Sequence, residues 1–206
     1  TGLELYGSKG NLDYSLGLLA GSVGYTMIEQ NKDVPQITTH LVLHSGPSLS
    51  CGVSAWAGPY LFEGALGYET DSTEEYNYND YLNTGVATEV QWIGDYLSMI
   101  AEAAYTNWQY PDLPDLGLAA GYVEAQYKFT PGWYVAGRYD AWRPSQLSDS
   151  QGKKQYWDFP VSRVELGIGY HPFRRMTTKL VTQINRIEGD SDLNTNLYAL
   201  QWSIGF

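Results

Sequence analysis

Apolar and polar residues alternate with a period of two along most of the chain, and no stretch keeps a 3.6-residue period beyond a turn or two. The last residues show the pattern plainly. In NLYALQWSIGF, Tyr198, Leu200, Trp202, Ile204 and Phe206 are large and apolar, whereas Ala199, Gln201, Ser203 and Gly205 are small or polar. The alternation predicts eleven strands, at about residues 2–8, 11–20, 36–45, 48–57, 83–93, 96–109, 116–129, 133–143, 161–172, 176–187 and 195–206.

The links between these strands alternate in length. Ser8 to Gly10, His44 to Pro47, Gly94 to Asp95, Thr130 to Gly132 and His171 to Arg175 are short, whereas 21–35, 58–82, 110–115, 144–160 and 188–194 are longer. A soluble sandwich or lipocalin-like barrel has no reason to keep that rhythm. A transmembrane β-barrel does, with short turns on one side of the membrane and long loops on the other. The faces agree: Leu3, Leu5, Leu16, Val86, Val123, Leu166, Ile168, Leu180 and Ile184 share one side of their strands, and charged or amide residues take the other. The predicted fold is an all-β, antiparallel transmembrane barrel, in which the last strand shows its aromatic face to lipid and its small polar face to a wet interior.

Single-chain bacterial barrels have even strand numbers, and eleven is odd. The expectation is that residues 1–206 form one barrel domain that is the C-terminal part of a longer barrel.

Composition sharpens this picture. The 206 residues include Tyr 18, Trp 7 and Gly 22 against Lys+Arg 12, the aromatic excess expected where amphipathic rings collect at lipid–water interfaces. Mean hydropathy is only −0.33, and no window holds enough apolar residues for a membrane-crossing helix. The net charge of −11 leaves no basic stripe for nucleic acid. A lone Cys51 excludes an internal disulfide framework.

The segments TGLELYGSKGNLDYSLGLLAG, GWYVAGRYDAW and VSRVELGIGYHPFRRMTTKLVTQINR, with the terminal LYALQWSIGF, resemble the phosphate-selective porin (O and P type) family of bacterial outer-membrane barrels. The resemblance runs through most of the chain and covers roughly the C-terminal two-thirds of that family. It implies a channel of about sixteen strands, commonly a trimer, and a terminal Phe206 read by the barrel-assembly machinery. One departure matters: anion-selective members line the lumen with Lys and Arg, and the lumen positions here carry an acidic excess, so phosphate selectivity does not follow.

The candidate site is that lumen wall: Glu89, Glu102, Glu124, Lys128, Arg138, Asp140, Arg163, Glu165 and Lys179. Such charges set a transverse field that filters small solutes, or serve as structural ion pairs that keep the interior satisfied. Both readings fit the same residues. Trp92, Trp133, Tyr170, Trp202 and Phe206 are the candidate membrane-interface aromatics. Glu69, Asp71, Glu74, Glu75 and Asp80 load negative charge onto the longest loop, either as a solvated segment or as a mouth that attracts cations or bridges lipopolysaccharide through divalent ions. Gly189 to Asp192 offers oxygen ligands without EF-hand spacing.

His40, His44 and His171 form no metal set, and the chain has neither a Gly-x-Ser-x-Gly elbow nor a phosphate-binding glycine loop. The expectation is a non-enzyme without cofactor or metal. Its partners are outer-membrane lipid and lipopolysaccharide, the assembly machinery and, by resemblance, copies of itself. The rival expectation is a scaffold barrel that encloses a partner, such as an electron-carrying lipoprotein or a secretion component.

Overall fold

The computed structural model describes residues 2–20, 34–61, 79–111, 113–148, 151–173, 175–189 and 191–205. Eleven strands stand where the alternation places them: β1 (Gly2–Lys9), β2 (Leu12–Leu19), β3 (Gln36–Ser45), β4 (Leu49–Pro59), β5 (Leu82–Ile93), β6 (Leu97–Trp108), β7 (Leu116–Thr130), β8 (Trp133–Pro144), β11 (Val161–Phe173), β12 (Met176–Ile187) and β13 (Thr195–Ile204). Two three-residue strands were not anticipated. β9 (Gln146–Ser148) and β10 (Lys154–Tyr156) form a separate hairpin within the link 144–160. Their sequences, QLS and KQY, are too short and too polar to show a period. A 3₁₀ turn at Ser191–Leu193 was likewise not anticipated.

The eleven long strands follow one another in a single sheet, β1-β2-β3-β4-β5-β6-β7-β8-β11-β12-β13. Neighbours are antiparallel in every pair whose register is described here. Among the described residues β1 and β13 are its edges, each hydrogen-bonded on one side. Short turns need backbone that β-branched residues cannot supply; Gly132, between β7 and β8, has φ +80°.

The chain divides into two compact units. The first comprises Thr1–Leu43, Gly52–Thr88 and Tyr105–Gly117; the second comprises His44–Cys51, Glu89–Ala104 and Leu118–Phe206. In the first, polar side chains of the strands hold one another on the non-apolar face. Trp56 Nε1 donates to Asn83 Oδ1 at 2.7 Å, and Asn83 Nδ2 donates to Thr106 Oγ1 at 2.7 Å. Asn83 is buried, and a buried amide without such partners costs about 1–3 kcal/mol. His40 Nδ1 lies 2.7 Å from Ser54 Oγ.

In the second unit the register lines up the apolar face in rows across β8, β11, β12 and β13. The row nearest the short turns is Trp133, Tyr170, Thr178 and Trp202. Next come Val135, Ile168, Leu180 and Leu200, then Gly137, Leu166, Thr182 and Tyr198, then Tyr139, Val164, Ile184 and Asn196. These large apolar residues are not covered: Leu166 is 54% exposed and Leu200 74%. An uncovered aliphatic band of this extent is far larger than a water-facing surface tolerates, and it is what a lipid-facing surface requires.

The polar face is less uniform than the sequence suggests. Leu118 and Tyr134 lie on it and are buried. Gly169, opposite Tyr134, makes room for its ring, and a Cβ there would clash with the hydroxyl end of the ring.

Leu166 sits midway along the band, so a charge there meets hydrocarbon. Leu166→Arg is expected to destabilise the folded protein by about 2–4 kcal/mol, measured by reversible urea unfolding in phospholipid bilayers. Equal stability would mean that the two faces are assigned the wrong way round.

Candidate functional site

The same register brings the polar side chains of the second unit together. β7 and β8 place Glu124 opposite Arg138 and Tyr122 opposite Asp140. β8 and β11 place Arg138 opposite Glu165 and Asp140 opposite Arg163. One carboxylate organises the result. Asp140 Oδ1 accepts from Arg138 Nε and Nη2 at 2.9 and 2.7 Å, and Arg163 donates from Nε to Oδ2 and from Nη2 to Oδ1, both at 3.0 Å. The planar guanidinium fork suits this two-pronged contact, which a lysine cannot make. Sharing Asp140 leaves the two arginines with a surplus of positive charge.

That surplus is met on the β7 side. Glu124 Oε2 lies 3.6 Å from Arg138 Nη1, and the Arg138 guanidinium stacks over the Tyr122 ring with Cζ 3.8 Å from the centroid. Tyr122 in turn donates its hydroxyl proton to Glu102 Oε1 at 2.5 Å, which extends the chain of contacts to β6. On the other side Lys179 Nζ reaches diagonally to Glu165 Oε1 at 3.4 Å. Gln183 donates to Asn185 at 2.8 Å, and Asn185 to Thr195 Oγ1 at 3.0 Å, so the polar wall runs from β6 to β13.

Five of the nine candidate lumen residues therefore form one network of contacts, Glu102, Glu124, Arg138, Asp140 and Arg163, and Glu165 and Lys179 form a separate pair on the same face. Glu89 lies on β5 and Lys128 on β7. Lys128 is opposite Tyr134, near the short turns, where it lines a cavity of about 450 Å³ with Asp95, Tyr96, Trp133 and His171. Sequence reasoning missed Tyr122, because a tyrosine on a strand reads first as an interface aromatic.

Trp92, Trp133, Tyr170 and Trp202, candidates for the membrane interface, are among the described residues. Trp133 and Tyr170 pair across β8 and β11 with ring centroids 4.5 Å apart, and Trp202 is in the same row. Trp92 is at the turn end of β5, 38% exposed. Phe206 and the acidic residues Glu69, Asp71, Glu74 and Glu75 lie outside the described residues, as does Asp190 in the GDSD stretch. In the first unit, Tyr60 beyond the end of β4 donates to the Gln109 carbonyl at 2.8 Å. Burial, helped by Tyr110 and Asp115, pushes its pKa up to about 12, so it stays a neutral donor through the physiological range. Among the described residues no group of His, Cys, Asp and Glu is placed to hold a metal. The wall is a fixed array of charges, and its chemistry is electrostatic.

No family model and no curated protein matches the chain. Solved structures do. An anion-selective porin from Comamonas acidovorans superposes with a TM-score of 0.65 at 10% identity, over 98% of this chain and 55% of that one. OmpT, an outer membrane protein of Vibrio cholerae, gives 0.65 at 11% identity, over 98% and 62%. The outer membrane transporter YddB from Escherichia coli gives 0.50 at 9% identity, over 98% and 34%. The chain thus spans less than two-thirds of the length of each. The fold is that of the antiparallel outer-membrane β-barrels.

Asp140 is 17% exposed at its side chain and answers two arginines, whereas the Lys179–Glu165 pair is longer and single. Asp140→Asn is expected to cost about 1.5–3 kcal/mol of stability, and Lys179→Gln about 0–1 kcal/mol. Denaturant midpoints of the two variants measure the ranking, and a reversed order would remove Asp140 from the centre of the wall.

Proposed function

We propose that this chain is the pore-forming part of an outer-membrane, porin-like channel that lets small hydrophilic solutes or ions diffuse passively through a charged lumen. The observation that carries the reading is the pairing of faces. A continuous charged wall lies on one side of the same strands whose other side is an uncovered apolar band closed by a row of Trp133, Tyr170 and Trp202. The band faces lipid in a bacterial outer membrane, and the wall faces water.

Mechanism follows from electrostatics alone. Charges fixed by hydrogen bonds do not swing away as an ion passes, and their field reaches about 8 Å at physiological salt. A solute crossing the wall meets Arg138, Arg163 and Lys179 interleaved with Glu102, Glu124, Asp140 and Glu165. Three cations against four carboxylates favour a weak filter with a slight cation preference. The resemblance to phosphate-selective porins rests on barrel motifs, and this wall does not support their selectivity. No bond is made or broken by such a channel.

The sheet edges β1 and β13 support a larger barrel, in which further strands pair with both. The completed channel is a homotrimer by its resemblance. A scaffold that clasps another protein across those edges is the rival reading, favoured by the same two edges.

Planar-bilayer recording of the natively extracted protein in a salt gradient tests the proposal. Steady single-channel current is expected, with a small reversal potential of cation-selective sign. Lys179→Glu is expected to move that potential further in the same direction while leaving heat-modifiable mobility unchanged. A folded barrel that passes no ions in this assay would discard the channel in favour of the scaffold.

A further inference from the structure

The rows of the apolar face continue beyond the aliphatic band toward the long links, and there their chemistry changes. The row after Tyr139, Val164 and Ile184 holds Ala141, Ser162 and Arg186. The next holds Arg143, on β8, beside Pro160 and Glu188. Two arginines therefore stand on the lipid-facing side, both exposed. A hollow of about 130 Å³ opens between them, lined also by Ser162, Glu188 and Asn194.

Depth follows from strand geometry. Trp133 and Arg143 lie ten residues apart on β8. At about 3.3 Å per residue and a tilt of about 40°, that separation spans about 25 Å along the membrane normal. This equals the height of the apolar band of an outer-membrane barrel, about 25 Å. With the Trp133 row at the inner interface, the Arg143 and Arg186 rows lie at the outer one. Lipid phosphates of the outer leaflet sit at that depth.

We propose that the Arg143–Arg186 hollow binds a phosphate monoester of an outer-leaflet glycolipid headgroup. Each guanidinium offers a planar donor fork, the geometry that phosphate accepts in two-pronged fashion. The hydroxyl of Ser162 and the amide of Asn194 supply neutral hydrogen bonds. Asn194 is already fixed, its Oδ1 accepting the Ile187 N–H at 2.8 Å. Glu188 is the one anion in the hollow, 3.3 Å from Arg143 Nη1. It holds Arg143 in place when no headgroup is present, and a bound phosphate takes over that contact. Arg186 contacts only the Asn185 carbonyl, at 3.2 Å, among the described residues, so the second fork is available. Counting Glu188, the hollow keeps a net positive charge. The acyl chains of such a lipid would lie along Val164, Ile184 and Leu166 on the rows below.

The test uses the whole protein in detergent micelles, titrated with bis-phosphorylated lipid A and read by native mass spectrometry. Wild type is expected to bind, and Arg143→Gln with Arg186→Gln to bind at least tenfold more weakly, with heat-modifiable mobility confirming the fold. Glu188→Gln is expected to bind several-fold more tightly, a gain that no folding defect produces. Dephosphorylated lipid A is expected to bind no better to wild type than to the double variant. Equal binding of bis-phosphorylated lipid A by all three proteins would overturn the site. Displacement by inorganic phosphate at millimolar concentration would make it a free-phosphate site and overturn the lipid assignment.

Discussion

Everything in this molecule depends on the hydrogen bonds between neighbouring strands. In hydrocarbon there is no water to satisfy a backbone N–H or C=O, and each one left open costs several kcal/mol. An extended chain can cross a membrane only if every strand is paired on both sides. The sheet order β1 to β8 and then β11 to β13, without crossovers, meets that demand for all strands between its two edges. The ladder also fixes the register, and the register decides which side chains meet. A slip by one residue in β11 would bring Val164 and Leu166 to the polar face and expel Arg163 and Glu165 into lipid. The charged wall and the apolar band therefore stabilise the same register from opposite sides.

Much of the fold was legible from the sequence because a half-buried strand writes its environment in a period of two. The eleven long strands and their faces followed from that signal alone. β9 and β10 did not, since a three-residue strand of polar residues has no period to detect. The charged residues of the wall were also legible, because Glu124, Arg138, Asp140, Arg163 and Glu165 interrupt apolar strands at alternate positions. Their arrangement was not. That Asp140 serves two arginines depends on a same-strand contact with Arg138 and a cross-strand contact with Arg163, and only the register decides the second. Arg143 and Arg186 were passed over for a different reason: a charge on the apolar face at the last residue or two of a strand reads as fraying rather than as an interface.

The composition of the wall bears on what a pore of this kind does. Rings of one sign create a deep well or a high barrier for an ion, and selectivity then costs conductance. Here Arg138 and Arg163 are each hydrogen-bonded to a carboxylate and Lys179 lies against Glu165. The field is strong within a few ångströms of the wall and nearly cancels farther away. In the proposed channel a small polar solute near the wall would be oriented by alternating charges, while an ion farther from it would meet little net potential. Such a channel would favour passage of hydrophilic solutes over discrimination by charge.

Rigidity completes the argument. An exposed lysine–glutamate pair contributes little because holding two long side chains in one geometry costs entropy. The Arg138–Asp140–Arg163 group escapes that limit in two ways. Both guanidiniums are pinned at more than one atom, and Arg138 is also sandwiched against the Tyr122 ring. Tyr122 is held at its far end by Glu102. The side chains that project from the wall are thus braced from β6 to β11. A polar face braced in this way holds its side chains without the close-packed interior that stabilises a water-soluble protein. A water-facing wall and a stable fold are then compatible, as the proposed channel requires, because the packing that a core would supply is replaced by ion pairs along the wall and by lipid on the other face.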